Sequence, residues 1–307
     1  MSKILITAKI SPDLDGLACA FAYAKLLNKI DKDNKYVAGV YGEAHIEARY
    51  LIERFNIKEG LVLNPEIKFD KFILVDASDL KGMPEIIRAE DVIEVIDHRK
   101  THRANELFPN AKIQVEKVGA AATLIFEKYI EHGLNLDKNS VYLLLGAIYS
   151  NTLNFLSDIV SVRDKEAAHS LINNGVKIPA DLIEKMFSFK SDYIKNNLEK
   201  SILGDFKDFD NGLGIAQLEG YDLVSIVSEK INEIKIILTS LKEKYKLKYI
   251  FLTAIDLKNN YNIFVVIDEK TKILLEPLNL VFNDKGIAKN TKLILRKQIM
   301  PLLIGKL

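Results

Sequence analysis

Apolar residues in the first half of the chain gather into short runs at 3–7, 36–41, 72–76 and 92–97, each followed by a helical or irregular stretch. Runs of this length, separated in this way, predict parallel strands buried on both faces. Leucines and alanines over 17–27 are spaced for a helix, and 44–55 reads as an amphipathic one. Further helices are expected from Gly119 to about Tyr129 and from Ser140 to Tyr149, the second leading into Ser150, Asn151 and Thr152. From 178 to 200 the chain is helical and lysine-rich with no strong strand, and its texture changes beyond that point. Strands are predicted over 213–218, 249–255 and 263–266, with a long helix over 231–245 and a hairpin turn at Lys258, Asn259 and Asn260. The expectation is an α/β chain of two domains. Residues 1–187 would hold a parallel sheet and 201–307 a smaller mixed sheet, joined by a linker at 188–200.

Three of the first four runs lead into acidic loops. The run 3–7 precedes Asp13 and Asp15, 72–76 ends in Asp76, and 92–97 ends in Asp97 with His98 directly after it. Ligands of a parallel α/β sheet bind beyond the carboxyl ends of its strands, so these residues are expected to converge. An Asp-x-Asp pair alone is a weak signal, because it also caps helices or sits in solvent. A carboxylate at a buried strand end, however, calls for a partner. Carboxylates with an imidazole suit manganese or a similar divalent ion, and two cations ~3.5 to 4 Å apart would draw on neighbouring ligands such as Asp13 and Asp15. Asp97 is expected to stand behind His98 and orient it as an acceptor.

Composition narrows the partners. With 307 residues, 48% of them hydrophobic, the chain is long enough for two cores. Its 43 basic and 42 acidic side chains nearly cancel, so no overall field draws in a nucleic-acid duplex and phosphate recognition must be local. The single cysteine, Cys19, lies in an apolar run and reads as a buried thiol, which excludes a disulfide framework and a cysteine-based metal site. The apolar stretch 4–6 is too short for a signal peptide, and no segment reaches the ~18 to 20 apolar residues of a membrane span. A cytoplasmic protein with no membrane partner is expected.

The segments Pro12-Asp13-Leu14-Asp15-Gly16, Val75-Asp76, Val95-Ile96-Asp97-His98, Val118-Gly119-Ala120-Ala121-Ala122-Thr123 and Ala147-Ile148-Tyr149-Ser150-Asn151-Thr152-Leu153 follow one another in an order that resembles the DHH phosphoesterase superfamily. In particular the chain is similar to the manganese-dependent, family II inorganic pyrophosphatases and their exopolyphosphatase relatives. Arg296-Lys297-Gln298-Ile299-Met300-Pro301 looks like the end of that family's second, DHHA2-type domain. The resemblance implies a Rossmann-like DHH domain and an active site in the interdomain cleft. It also implies a homodimer and hydrolysis of pyrophosphate or short polyphosphate by metal-activated water, with Mn2+ as the ion; the fewer histidines of this chain tilt the expectation toward Mg2+, and Co2+ is a further candidate. Carried over by position, Asp13 would bind a first metal, Asp15 and His98 a second, and Asp76 both, these four forming the catalytic set. Lys195 and Arg296 would correspond to cations that bind phosphate.

Three positions depart from the family pattern. Lys9 stands where a histidine ligand is usual, and it has two readings: a side chain in solvent, or an ammonium in place of the first metal. Arg99 replaces a second histidine and suits a phosphate oxygen pair. Asn151 replaces an aspartate; its amide oxygen can ligate without bringing charge, or the residue is simply polar. His45 and His102 are expected near the site edge, and His132 and His169 on helices away from it. Two rival functions stay open: a phosphoesterase of the same scaffold acting on a nucleotide or other ester, and a non-catalytic phosphate- or nucleotide-binding protein.

Overall fold

The computed structural model describes residues 2–100, 102–209 and 211–306. One compact unit reaches Met186 and a second begins at Phe187. The first contains β1 (Ser2–Thr7), α1 (Leu14–Ile30), β2 (Asn34–Val40), α2 (Ile46–Arg54), β3 (Val62–Leu63), β4 (Lys71–Val75), β5 (Val92–Asp97), α3 (Ala104–Leu107), β6 (Lys112–Val115), α4 (Ala121–Glu131), α5 (Lys138–Asn151) and α6 (Val162–Ile172). Its six strands are all parallel and lie in the order β3-β2-β1-β4-β5-β6. The chain winds outward from β1 through β2 and β3, then returns to β4 and winds the other way. The carboxyl ends of β1 and β4 therefore flank a topological switch point, where such sheets bind ligands.

Burial explains why these segments are strands. Ile4, Leu5 and Ile6 of β1 are all buried, so both faces of the strand are covered. One face joins Leu5, Phe72, Leu74, Val92 and Val95 in a single core. On the helical side, α1 packs against α4 and α5. Ala18, Ala20, Ala22 and Ala24 are buried along α1, and their small side chains let the helix lie close among its neighbours.

The second unit takes in most of α7 (Leu182–Asn196), then α8 (Leu198–Gly204), β7 (Phe206–Phe209), β8 (Leu213–Gly220), α9 (Leu223–Glu229), α10 (Ile231–Lys244), β9 (Tyr249–Asp256), β10 (Tyr261–Val266), α11 (Glu269–Leu274), β11 (Ile287–Asn290) and α12 (Arg296–Leu303). The residues expected as a linker, 188–200, thus lie in α7 and α8. The sheet order is β11-β10-β9-β8-β7, with β8 parallel to β9 and the other pairs antiparallel. The hairpin expected at Lys258–Asn260 joins β9 to β10. Each face of this sheet has its own core, one around Ile234, Leu238 and Leu252 and the other around Phe251, Phe264 and Ile299. Among the described residues no helix is long and apolar enough to cross a membrane.

Four strands were not legible in the hydrophobic pattern: β3, β6, β7 and β11. All four are sheet edges. An edge strand has one unpaired side and partial exposure, so it needs no continuous apolar run; β3 and β7 contain no fully buried residue.

A cluster of three polar side chains is buried away from the sheet edge that carries the acidic loops. The Tyr23 hydroxyl donates to Glu94 Oε2 at 2.7 Å, and Lys128 Nζ lies 3.5 Å from Glu94 Oε1, with all three residues buried. The carboxylate holds the phenol proton, and burial with the nearby Glu94 charge pushes the Tyr23 hydroxyl far above its ordinary pKa. Replacing Lys128 by Met leaves the Glu94 charge without its cation, and is expected to destabilise the protein by about 3 kcal/mol. Urea unfolding at pH 7 measures this, and Lys128→Met with Glu94→Gln should recover part of the loss.

Candidate metal centre

The site is built from the loops that leave β1, β4 and β5 and from the ends of α1, α4 and α5. Asp13 caps α1, its Oδ1 accepting from Gly16 N at 3.0 Å. Two residues on, Asp15 is turned into the protein and is only 1% exposed. Its carboxylate accepts from the first amides of α4, Ala121 N at 2.7 Å and Ala122 N at 2.8 Å. A helix N-terminus offers unpaired N–H groups and about half a positive charge, so it suits a buried anion. Gly16 permits this close approach, because a Cβ there would come within 2.6 Å of Ala8 Cβ and 3.5 Å of Asp76 Oδ2.

Asp76 follows β4 directly and has φ of +52°, a conformation that costs a non-glycine residue energy and is tolerated where the surroundings impose it. His98 follows β5. Its Nε2 lies 3.3 Å from Asp76 Oδ1 and 3.9 Å from Asp15 Oδ2. One ligand atom from each of Asp15, Asp76 and His98 falls within 4.8 Å of the others, the only such group among the described residues. The His98 Nδ1–H donates to Val118 O at 3.1 Å, which turns Nε2 toward the two carboxylates. Two carboxylates and an oriented imidazole form a donor set that fits Mn2+ or a similar divalent ion.

Electrostatics favours a cation at this place. Burial, then the charge of Asp76, pushes the Asp15 carboxyl well above its usual range, against the pull of His98. Burial and Asp13 push Asp76 up to about 6. Burial opposes a charge on His98, but the hydrogen bond to Asp76 and the charges of Asp15 and Asp76 win, and its pKa rises to about 10. In the metal-free chain a proton on His98 thus supplies part of the positive charge that the carboxylates call for.

The structure gathers some expected residues and disperses others. Asp15, Asp76 and His98 meet, and Asp13 acts on the first two through its charge. Asn151 is also there, but it presents its amide nitrogen: Nδ2 lies 3.1 Å from Asp15 Oδ2, 3.3 Å from His98 Nε2 and 2.9 Å from Gly119 O. The carbonyl of Gly119 accepts from that nitrogen and so sets the orientation. Asp97 does not orient the His98 ring as expected. Its Oδ1 accepts from the His98 backbone N–H at 2.7 Å, because successive side chains at a strand end point to opposite faces. Its Oδ2 instead lies 3.2 Å from Arg99 Nε.

Lys9 and Arg99 share a partner that the sequence did not reveal. Asp79 Oδ2 accepts from Arg99 Nη1 at 2.5 Å, and Lys9 Nζ is 3.6 Å from Asp79 Oδ1. Partial burial works against ionisation of Asp79, yet Lys9 and Arg99 hold its carboxyl below the usual range. The reading of Lys9 as a side chain in solvent does not apply, since the ammonium is paired and two-thirds covered. In the second unit, Lys195 makes an exposed pair with Glu229 at 2.8 Å. Arg296, expected as a cation that binds phosphate, spends its guanidinium on the protein itself. It is 8% exposed, bonded through its guanidinium to Asp205 O, Asp205 Oδ1 and Ile215 O, and its backbone N–H donates to Gln217 Oε1. The side chains of His45, His102, His132 and His169 are all exposed.

A second positioning residue also went unread. Asp164 is fully buried, and its carboxylate accepts from Gly119 N, Ser161 N, Ser161 Oγ and Thr123 Oγ1. It ties the start of α6 to the loop that leads into α4. Gly119 has no room for a side chain, since a Cβ would lie 2.6 Å from Thr152 Cγ2 and 2.8 Å from Asp164 Oδ2. The signal was present as Ser161-x-x-Asp164, the spacing of a capping box.

A parallel α/β unit with an aspartate–histidine cation site at its switch point defines a class of metal-using phosphate enzymes, and the profile of the DHH family N-terminal domain matches residues 3–148. A manganese-dependent inorganic pyrophosphatase of Methanothrix thermoacetophila is 30% identical over 309 residues, spanning 97% of this chain and 96% of the relative. The chain belongs to the family of the manganese-dependent inorganic pyrophosphatases. A crystal structure from Methanococcus jannaschii, named as a candidate family II inorganic pyrophosphatase, superposes with a TM-score of 0.70 at 25% identity, covering 98% of both chains. An exopolyphosphatase-related protein from Bacteroides fragilis shares the fold, with a TM-score of 0.52 at 12% identity over 99% of this chain and 91% of that one.

Two outcomes are expected. Asp164→Ala leaves several buried donors without an acceptor, each worth about 1 to 3 kcal/mol, so a stability loss of about 3 kcal/mol or more should appear in urea unfolding. The second concerns protons. A cation needs neutral His98 and ionised carboxylates, whereas the metal-free histidine stays charged until about pH 10. Mn2+ binding near pH 7.5 should therefore release a proton and tighten as pH rises, which calorimetry in buffers of different ionisation enthalpy detects. Without metal, the His98 contribution to stability is complete below about pH 6.5 and is lost as pH rises toward 10, because its folded pKa is the raised one.

Proposed function

We propose that this protein hydrolyses a phosphoanhydride bond of inorganic pyrophosphate in a reaction that depends on a divalent metal, with Mn2+ the preferred ion. The observation that supports this most directly is the meeting of Asp15, Asp76 and His98 at the switch point of the parallel sheet. The names of the relatives point the same way: the Methanothrix protein is a manganese-dependent inorganic pyrophosphatase. A cation held there supplies positive charge against phosphate oxygens and a water of lowered pKa. The residues of the chain do the rest. Asp15 and Asp76 provide hard oxygen ligands, His98 turns Nε2 to the same point, and Asp13 adds negative charge beside them. Arg99 is part-exposed and held from two sides by Asp79 and Asp97, so its remaining N–H groups are fixed in direction and available to a phosphate.

Short polyphosphate is the second substrate to test, in keeping with the shared fold of an exopolyphosphatase-related protein. The reading extends to a cytoplasmic homodimer paired through the first unit; light scattering on the purified protein checks the dimer. The two-domain reading follows the two compact units, which divide between Met186 and Phe187.

The decisive assay measures phosphate release from pyrophosphate, tripolyphosphate and nucleotides with Mn2+, Mg2+ or Co2+. Pyrophosphate turnover with Mn2+ is expected, and Asp76→Ala should lower it by at least about a thousandfold, since that residue would hold the cation. Tight pyrophosphate binding with no turnover under any of the three metals would sink the proposal.

A further inference from the structure

We infer that the free protein holds one divalent cation per chain rather than two, at Asp15, Asp76 and His98, the Asp13 end of the site lacking the donors for a second. The inference rests on the metal-dependent reading above. Its first support is the donor inventory. Among the described residues only one group of three or more His, Cys, Asp or Glu side chains brings ligand atoms within 4.8 Å, and Asp13 is outside it. Asp13 already uses Oδ1 as the cap of α1. A second ion beside it would have Asp13 and a share of Asp76, with water for the rest, fewer protein ligands than the three that meet at Asp15, Asp76 and His98.

Lys9 removes the remaining option at the Asp13 end. Lys9 lies on the loop from β1 to Asp13, and a protonated amine has no lone pair to offer. Its ion pair with Asp79 joins that loop to the one that follows Asp76, so an ammonium is fixed between the two segments that would have to enclose a second cation.

Charge gives an independent count. Lys9 and Arg99 neutralise Asp79 and Asp97, with which they are paired. Three carboxylates remain: Asp13, Asp15 and Asp76. One divalent ion brings that charge of −3 to −1, and the two helix N-termini beneath Asp13 and Asp15 offset about half a charge each. The site is then close to neutral with a single ion and neutral His98. A second dication would enter an already balanced site, with no excess negative charge to hold it.

The test is a Mn2+ titration of the full chain in phosphate-free buffer, following free Mn2+ by electron paramagnetic resonance and the bound ion by its low-temperature spectrum. The expected result is one Mn2+ per chain, with the spectrum of an isolated ion. Lys9→His adds a neutral donor and removes the ammonium; it should raise the count toward two and introduce exchange coupling between the ions, whereas Lys9→Met should leave it at one. Two tightly bound, coupled Mn2+ ions in the unmodified chain would overturn the inference while leaving the metal-dependent reading intact. No Mn2+ binding would overturn both. A count of one in Lys9→His would overturn the role given to Lys9.

Discussion

The buried carboxylate of Asp15 meets the amides of Ala121 and Ala122 at the N-terminus of α4, and the geometry of the site depends on that meeting. The contact draws the start of α1 against the start of α4 and gives Asn151, at the end of α5, a fixed neighbour. It also creates a tension. The helix terminus and the two N–H groups favour the anion, while burial and the adjacent Asp76 charge disfavour it, and the second pair of effects prevails. A protonated His98 relieves this without metal; a divalent ion at the same point relieves it more completely, because it carries twice the charge.

Around this contact lie residues that touch no reacting group yet set where the others stand. Asp164 fixes Gly119, whose carbonyl accepts from Asn151, and Val118, next in the chain, accepts from the His98 ring. Asp79 does the same on the opposite side, binding both Lys9 and Arg99. The left-handed backbone at Asp76 is strain held in place by this frame, and it aims a carboxylate that faces both His98 and Asp13. In the second unit the guanidinium of Arg296 has a comparable framing task, bridging the β7 and β8 segments through Asp205 and Ile215.

Much of the site was readable because parallel strands advertise their ends. Three apolar runs terminate in or near acidic loops, and one sheet edge collects all three, so Asp15, Asp76 and His98 could be grouped before any coordinate was known. The capping-box spacing of Ser161 and Asp164 was equally open to reading. Asp79 was less so: three residues beyond Asp76 in a polar loop, it looks like any solvated aspartate until two cations from other loops reach it. The edge strands β3, β6, β7 and β11 escaped for a related reason, since an edge is defined by what lies beside it and leaves little trace in its own apolar pattern.

The sequence by itself determined the two α/β units, the buried strands, the helix starts and the residue types at the strand ends. These follow from local periodicity, capping and the need to bury apolar surface, all of which are properties of neighbours along the chain. Only the tertiary structure decided how the chemistry is wired: that Val118 and not Asp97 orients His98, that Asn151 turns its nitrogen inward, that Arg296 is buried, and that Lys9 pairs with Asp79. Each of these depends on hydrogen bonds or charges between residues distant in sequence. The direction of a side chain toward such a partner is set by packing, which no local pattern encodes.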